Sequence, residues 1–485
     1  MRGRQGMMFM EPAPPVAALD RTATYHFIGI GGYGMSGLAT VLLASGVRVT
    51  GSDAKESSRL ERLRALGAQV HVGHRADLVD GAGVVVYSTD IPDHNPELAA
   101  ARERGITLWH RSQLLARLLN GSRGVAVTGT HGKTTTTAMT GQVLMAGGLD
   151  PTVLVGGEVP QLGGTARLGS TPWVVAEACE SDGSFLRYQP YISVITNVEP
   201  EHLEHYGGDF SRLKAAVREF AGNTLPEGWL VLCSDDPLLR ELAREQGIRA
   251  VTYGRDPGAD LSYTDARQEE GALRFTVLAG GVPLGEAALA VPGEHNIVNA
   301  LAAMAVARLA GMPFAAAARA LGEYRGVHRR FQIIGRKNGM TVVDDYAHHP
   351  TEIRATLRAA RQWNRGRVIA VFQPHRYSRT HLLMEEFGVS FGDADVVILT
   401  EIYAPPGVEP IPGVSADALA RRIEAHTGRS VHLLSDAGAI VEHLAAAMEP
   451  GDLVVTMGAG DIWQVAHTLA RRLGMVEPQP PGPYL

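Results

Sequence analysis

VAVTGTHGKTTTT, residues 125–137, is an apolar run that stops at Gly129 and resumes, after a second glycine at 132, as a lysine and four threonines. A strand that ends in a glycine turn and opens a helix makes a phosphate cradle. Its backbone amides and the Lys133 ammonium surround the phosphates while the Thr134 hydroxyl reaches Mg2+. The stretch is not the usual G-x-x-x-x-G-K-[ST] loop, because Val127 stands where the first glycine of that pattern would be. The shorter G-x-x-G-K-T form still supplies lysine, hydroxyl and helix start in the required order. A purely structural glycine turn gives no reason for the lysine and threonines that follow.

Upstream, TYHFIGIGGYGMSGLA (24–39) fits G-x-G-x-x-G with Gly29, Gly31 and Gly34, again after a strand and before a helix. Such glycines permit a tight turn and let a pyrophosphate approach amides at a helix N-terminus. Asp53 closes the next strand, where a nicotinamide enzyme would hold ribose hydroxyls. The fingerprint reports a diphosphate rather than a nicotinamide, and a tight turn without ligand is the plain alternative.

Around these two cradles the chain reads as α/β in three blocks. Strand-like runs TYHFIGI, VRVTGSD and GVVVYS alternate with helical patterns up to residue 119, and NGSRG (120–124) breaks the beat. The second block opens on GVAVTGT and ends in helical segments over 296–310 and 314–321, with YRGVHRRF (324–331) at the next joint. From MTVVDDY (340–346) onward, RVIAVFQ, DVVILTEIY, SVHLLS and DLVVTMG each precede a helical run. The expected divisions are an extension over 1–23 and domains over 24–119, 120–327 and 328–485. A chain of 485 residues suits three domains. Ligands are then expected at the carboxyl ends of the strands.

Composition removes several function classes. A net charge of −6 offers no basic excess for nucleic acid. The two cysteines, Cys179 and Cys233, form neither a disulfide framework nor a zinc spacing, which fits a cytoplasmic protein. The Ala-rich stretch at 300–321 is interrupted by Arg308, Gly311, Pro313 and Arg319, so no membrane span is expected. MRGRQGMMFMEPAPPV is too proline-rich for a signal-peptide core, and Met7, Met8 and Met10 are alternative starts. Oligomeric state is not readable.

Acidic and histidine clusters follow the second cradle. WVVAEACESDGSF (173–185) runs into Glu177, Glu180 and Asp182, and YISVITNVEPEHLEHYGGDF (191–210) runs into Asn197, Glu199, Glu201 and His202. Magnesium takes oxygen ligands, and a carboxylate from a neighbouring strand commonly joins the loop hydroxyl, a place Glu177 suits. EHLEH lacks the H-E-x-x-H order of a zinc site. The third block carries VVDDYAHHPTEI (342–353) and VFQPHRYSRTHLL (371–383) at strand ends. Arg376 and Arg379, three apart, would share a helix face and suit carboxylate or phosphate, with Tyr346, His348, His349 and His375 nearby; plain surface charge is the alternative.

Taken in order, GIGGYGMSGLA, GTHGKTTTT, ESDGSFL, TNVEPEHLEHY, VPGEHNIVNALAA, RRF, VDDYAHHPTEI and FQPHRYSRT closely resemble the Mur ligases, in the type that adds the first amino acid of the peptidoglycan stem peptide. The likeness runs from about residue 24 to near 475. It implies a Rossmann-like N-terminal domain for a UDP-sugar, a central P-loop ATPase-like domain and a Rossmann-like C-terminal α/β domain that closes over the site. It also implies ATP-dependent joining of L-alanine to the carboxylate of UDP-N-acetylmuramate through an acyl phosphate, with Mg2+.

Residue by residue, the resemblance places Gly31, Gly32, Gly34, Met35 and Ser36 at the UDP-sugar, with Asp53 beside them. Gly129, Thr130, His131, Gly132, Lys133, Thr134 and Thr135 would cradle ATP, and Thr134, Glu177 and His202 would hold the metal. His295, Asn296 and Asn299 match the adenine side, and Arg330 and Asp345 fall where the closing domain reaches the nucleotide. Tyr346, His348, Arg376 and Arg379 would face muramate and alanine. Lys133, Glu177, His202 and Arg376 would carry catalysis. The family's E-A-D-E-S-D reads E-A-C-E-S-D here, with Cys179 in place of its first aspartate. The carbamylated lysine of related ligases has no assigned counterpart, Lys214 being left open. The readings kept beside this one are a ligase that recycles whole peptides, a nicotinamide dehydrogenase and a non-catalytic nucleotide-binding regulator.

Overall fold

The computed structural model describes residues 19–476 except Gln246, Ile248, Glu270, Pro405, Pro406 and Gly407. The expected extension thus lies largely outside the described residues, as do the alternative starts Met7, Met8 and Met10 and the last nine residues of the expected C-terminal domain. Helices alternate with strands that form three sheets, as the α/β reading requires. Among the described residues no helix is long and apolar enough to cross a membrane.

The first sheet runs Gln69–Val72, Arg48–Asp53, Thr24–Ile28, Val84–Tyr87, Thr107–His110, all parallel. Its central strands are covered on both faces: Phe27, Ile28, Val85 and Val86 have no exposure. Burial on both faces is what a parallel sheet demands, and it explains why these strands read as apolar runs rather than alternating ones. On one face Ile28 and Val85 pack with Val79, Leu98 and Ala101. The strand order reverses beside Thr24–Ile28, and such a switch leaves a crevice at the carboxyl ends. Gly29 sits there.

Among the described residues the second sheet has ten strands. Toward one edge it runs Trp229–Cys233, Ile192–Ile195, Arg123–Thr128, Trp173–Glu177, Thr152–Val159, Gly164–Arg167, parallel but for the last pair. Ala250–Tyr253 continues it in parallel beyond Trp229–Cys233, followed by Leu261–Glu269, Ala272–Ala279 and Val282–Leu289. The strand that feeds the GTHGKT loop is therefore flanked by the strands that end at Glu177 and at Ile195. Helices Glu294–Leu309 and Phe314–Gly322 lie close to the segments expected at 296–310 and 314–321.

The third sheet runs Gln332–Lys337, Met340–Asp345, Leu453–Met457, Val368–Phe372, Val396–Leu399, Val431–Leu433. Its first pair is antiparallel: Gln332–Lys337 precedes the strand-then-helix beat expected from residue 340 onward, and the strands within that beat are parallel. The cause of the antiparallel pair is Asn338–Gly339, whose φ values of 51° and 79° make a two-residue hairpin turn of the kind Asn-Gly favours. The helix Pro350–Trp363 begins with a capping box between His349 and Glu352, and Pro350 occupies the position whose missing N–H costs nothing.

The chain separates into two compact units. One holds the described residues of Met1–Thr264 with Thr276–Glu286 and Val298–Leu321; the other holds Asp265–Phe275, Ala287–Ile297 and the described residues of Gly322–Leu485. The joint expected at 119/120 follows the helix Arg111–Leu119, and the joint at 327/328 lies between Phe314–Gly322 and Gln332–Lys337.

Candidate active site

In the first unit, the loop after Thr24–Ile28 is built on the neighbouring strand. The Ser52 carbonyl accepts from the amides of Gly29 and Ile30 at 2.8 and 2.9 Å, and Asp53 Oδ2 accepts from Gly31 N at 2.9 Å. Asp53 thus shapes the loop whose neighbour it was expected to be. The helix Tyr33–Ala44 follows with Gly32 as its N-cap and no capping side chain. Ser36, also expected here, is buried; its hydroxyl donates to the Tyr33 carbonyl at 3.0 Å and meets Thr165 Oγ1 at 3.3 Å.

A cavity of about 570 Å³ opens at this loop. Its lining includes Gly31, Gly32, Gly34, Met35 and Asp53 together with Glu177, a residue expected at the metal, and Cys179, but no residue of the GTHGKT loop. A Cβ at residue 31 would fall 2.9 Å from Asp53 Oδ2 and 3.2 Å from Leu60. Gly31→Val is expected to displace Asp53 and raise the KM for a diphosphate-bearing sugar nucleotide by at least tenfold, on the order of one lost charge-assisted contact. ATP affinity should stay near wild type. Steady-state kinetics with each substrate varied in turn checks the split, and an unchanged sugar-nucleotide KM would remove this loop from the site.

The GTHGKT loop is held from the strand beside it. Thr130 N donates to the Asn197 carbonyl at 3.0 Å, His131 N to Asn197 Oδ1 at 2.8 Å, and Thr196 Oγ1 to the His131 carbonyl at 2.6 Å. Gly129 has φ +125°, and a Cβ there would stand 2.2 Å from Thr196 Oγ1, so only glycine fits. Gly132 (φ +82°) caps the helix Lys133–Ala146 against Asn299, whose Oδ1 also accepts from Thr136 Oγ1 at 3.2 Å. Asn299 therefore touches the loop from the start of the segment Val298–Leu321. Thr134 is buried in the first helical turn, and Thr135 is half-buried beside it.

Lys133 Nζ donates to the carbonyls of Gly129 and Thr130 at 2.6 and 3.0 Å and pairs with Glu180 at 3.0 Å. Burial works against this ammonium, but the Glu180 carboxylate it pairs with, together with Glu177, holds it well above the usual lysine range. Burial pushes the Glu180 carboxyl up, against the pull of Lys133. Glu177, at the end of its strand, accepts from Gly156 N at 2.9 Å. His202 adopts φ +55° and lies within 3.9 Å of both Glu201 and Glu204. Lys214 is exposed, its ammonium 4.4 Å from the centre of the Phe210 ring.

The second unit gathers a separate set. His348 Nδ1 meets the Tyr346 carbonyl at 2.9 Å, the Tyr346, His348 and His375 rings meet edge-on in turn, and His375 stacks on Tyr403 at 5.5 Å. Arg379 Nη1 reaches His375 Nδ1 at 3.3 Å. Burial and then the adjacent Arg379, His348 and Arg376 push the His375 ring down to about 3, so it is neutral at physiological pH. Arg376 departs from expectation. It precedes the helix Tyr377–Leu382 at φ +69°, so it does not share a helix face with Arg379; its amide donates instead to the Tyr403 carbonyl at 2.8 Å.

Asp345 is buried, and both its oxygens accept backbone amides, from Phe331 and Ala347, at 2.7 Å. Burial still pushes it up to about 6, against the attraction of Arg330. Arg330 stacks 5.2 Å from the Tyr346 ring and is flanked by two left-handed residues, Arg329 and Phe331. His295 and Asn296 begin the helix Glu294–Leu309, where Asn296 Nδ2 donates to the Pro292 carbonyl at 2.6 Å.

Family profiles match three successive stretches: the Mur ligase catalytic domain over 24–123, the Mur ligase middle domain over 127–307, and the Mur ligase glutamate ligase domain over 329–460. The chain belongs to the Mur ligase family. Among its relatives, the UDP-N-acetylmuramate–L-alanine ligase of Symbiobacterium thermophilum is 53% identical over 92% of this chain and 94% of its own. That of Pelotomaculum thermopropionicum is 48% identical over 94% and 98%. The solved UDP-N-acetylmuramate-alanine ligase of Thermotoga maritima superimposes with a TM-score of 0.79 at 31% identity, covering 93% of this chain and 99% of the other. A murein peptide ligase from Psychrobacter arcticus gives 0.68 at 25% identity, covering 94% and 99%.

In this Mur ligase Cys179 lines the cavity and its Sγ lies 3.1 Å from Ser181 Oγ. Burial pushes the thiol up, with Glu180 adding to the shift, so a neutral group stands between Glu177 and Glu180. Cys179→Ala is expected to keep activity within about fivefold at saturating Mg2+, since one weak neutral hydrogen bond is lost. Loss of several orders of magnitude in folded protein would assign Cys179 a direct part in the reaction. Other polar residues of this Mur ligase escaped sequence reading. Fully buried Glu97 accepts from Ser52 Oγ at 2.7 Å and contacts His26 Nε2 at 2.6 Å and His74 Nδ1 at 2.8 Å, tying together the segments under the first loop. Asn95 and Pro96, an N-cap and first-turn pair, mark that helix start in the sequence, but nothing local reveals where its carboxylate points.

Proposed function

We propose that this Mur ligase joins L-alanine to the carboxylate of UDP-N-acetylmuramate, converting ATP to ADP and phosphate. The observation that carries the reading is the 53% identity to an alanine-adding ligase across nearly the whole of both chains. The cavity supports it, because a sugar nucleotide seated on Gly32–Met35 extends toward Glu177 and Cys179 within one space.

A muramate carboxylate does not acylate amines unaided. One of its oxygens attacks the γ-phosphorus, the bond to ADP breaks, and an acyl phosphate forms. Lys133 meets the charge on the transferring phosphoryl group, which requires it to exchange the carbonyls of Gly129 and Thr130 for phosphate oxygens. The alanine amine then attacks the acyl carbon, and phosphate leaves from the tetrahedral intermediate. Arg376 and Arg379 serve the alanine and muramate end, with Tyr346 and His348 beside them, while His295, Asn296, Asn299, Arg330 and Asp345 serve the nucleotide. The donor chemistry of Thr134 and Glu177 fits Mg2+, a hydroxyl and a carboxylate supplying oxygen, and His202 would complete the set. When bound, Mg2+ neutralises phosphate charge and orients the γ-phosphate.

The test measures ADP release with UDP-N-acetylmuramate and Mg2+ while the amine is varied among L-alanine, glycine, L-serine and a stem tripeptide. L-alanine should give the highest kcat/KM. Preference for the tripeptide would make the protein a recycling ligase, and absence of ADP release with every amine would refute the ligase reading.

A further inference from the structure

We propose that Arg111 recognises the diphosphate of the sugar nucleotide, facing the first turn of the helix Tyr33–Ala44 across the cavity. This inference rests on the reading of that cavity as the sugar-nucleotide site and adds to it a residue that the glycine motif does not contain.

The need for a cation follows from where the loop amides go. Those of Gly29 and Ile30 are held by the Ser52 carbonyl, that of Gly31 by Asp53 Oδ2, and that of Gly32 by the Gly29 carbonyl at 3.2 Å. The G-x-G part of the motif therefore secures the loop rather than the ligand. What faces an anion is the start of the helix, at Tyr33, Gly34 and Met35, where no side chain provides a cap. Partial charges of a helix end do not balance a diphosphate. Asp53, Glu56, Asp90 and Glu177 also line the cavity, and these four carboxylates are unfavourable to such a ligand unless cations offset them.

Three cations line the cavity: Lys55, Arg59 and Arg111. Lys55 is exposed. Arg59 is engaged, its Nε donating to the Gly31 carbonyl at 2.5 Å and its Nη1 to Glu158 at 3.1 Å. Arg111 differs from both. Its side chain is 23% exposed, and its ion-pair partner Asp182 stands 3.9 Å from Nη2, beyond hydrogen-bond distance. The Asp182 carboxylate is directed elsewhere, accepting from Thr89 Oγ1 at 2.7 Å and from Ser184 N at 3.0 Å. Meanwhile Arg111 Nη1 lies 3.5 Å from the point where a Cβ on Gly34 would sit. A mostly buried guanidinium thus points donors at the open helix start.

Its own helix gives no reason for the charge. Arg111 is the first residue of Arg111–Leu119, where a cation opposes the helix dipole, and the cap is already made by His110 with Gln113. A planar fork beside three helix amides matches the several oxygens of a diphosphate better than the single carboxylate of the muramate group. Gly34 serves the same arrangement, since any larger residue there would stand between the fork and the helix.

Calorimetric titration without ATP tests the assignment, using uridine, UDP, UDP-N-acetylglucosamine and UDP-N-acetylmuramate against wild type, Arg111→Ala and Arg111→Lys. Arg111→Ala should weaken UDP and both sugar nucleotides alike, roughly 10- to 100-fold, as expected for charge-assisted hydrogen bonds, and leave uridine unchanged. Arg111→Lys should recover part of the loss through its charge without the fork. Unaltered UDP binding in Arg111→Ala would overturn the proposal, as would weakening confined to UDP-N-acetylmuramate, which alone carries the carboxylate. If wild type binds none of the uridine nucleotides, the sugar-nucleotide reading itself fails, and that outcome is distinct from failure of Arg111 alone. Should Arg111→Ala not fold, Arg111→Lys carries the comparison, because loss of the bidentate geometry still weakens UDP relative to uridine.

Discussion

Lys133→Ala is expected to lower kcat by on the order of 10² to 10⁴ and to abolish acyl-phosphate formation. The ammonium is the cation the GTHGKT loop presents, and it is held within the loop by two carbonyls and a carboxylate. Removing it also strands Glu180, which is 2% exposed, without its counter-charge. Such a loss costs about 3–5 kcal/mol in a buried pair unless the carboxyl takes up a proton. Lys133→Ala combined with Glu180→Gln separates the two effects: folding stability should recover in the double variant while activity stays low. The readout is acyl phosphate trapped chemically from enzyme, ATP, Mg2+ and UDP-N-acetylmuramate without amino acid. Normal trapping by either variant would mean that this loop does not perform phosphoryl transfer.

Arg376→Ala should fail at the other end of the reaction, with a loss on the order of 10² to 10³ in kcat for amide formation as a charged positioning group disappears. Acyl phosphate should still be trapped, at lower yield. The backbone sharpens the test. Arg376 holds φ +69°, a conformation that costs a side-chain-bearing residue of order 1–3 kcal/mol and that glycine adopts freely. Arg376→Gly should therefore be at least as stable as Arg376→Ala and as defective in catalysis. If both variants form product at the wild-type rate, the guanidinium belongs to the surface and neither it nor the backbone strain has a part in the reaction.

The sequence made some of this legible for identifiable reasons. Glycine motifs report themselves because backbone needs cannot be met otherwise, and the positive φ at Gly29, Gly129 and Gly132 agrees with the turns read at 26–39 and 125–137. Strands buried on both faces announced the parallel sheets as apolar runs. Asn338–Gly339 is an equally local signal for the antiparallel pair of the third sheet, lying just before the strand-then-helix beat that begins at residue 340. Arg111, Glu97 and Tyr403 were unreadable on other grounds. Each meets its partners only after segments far apart in sequence come together: Glu97 with His26 across 71 positions, and Tyr403 with His375 across a separate strand. Ser36 and Arg376 show the converse, since a motif position fixes a residue's neighbourhood but not the direction of its side chain.

The closed bonding of Lys133 has a consequence for how nucleotide affinity is to be understood. An empty loop in which the lysine dangled would gain the full value of every new contact. Here the loop holds an internal competitor: the Gly129 and Thr130 carbonyls and the Glu180 carboxylate occupy the donors that phosphate oxygens would claim. Binding is thus an exchange of partners, and the measured free energy is the difference between two satisfied states. In the proposed reading the loop is internally satisfied without nucleotide, and a ligand gains only what its oxygens offer beyond the two carbonyls that Lys133 gives up.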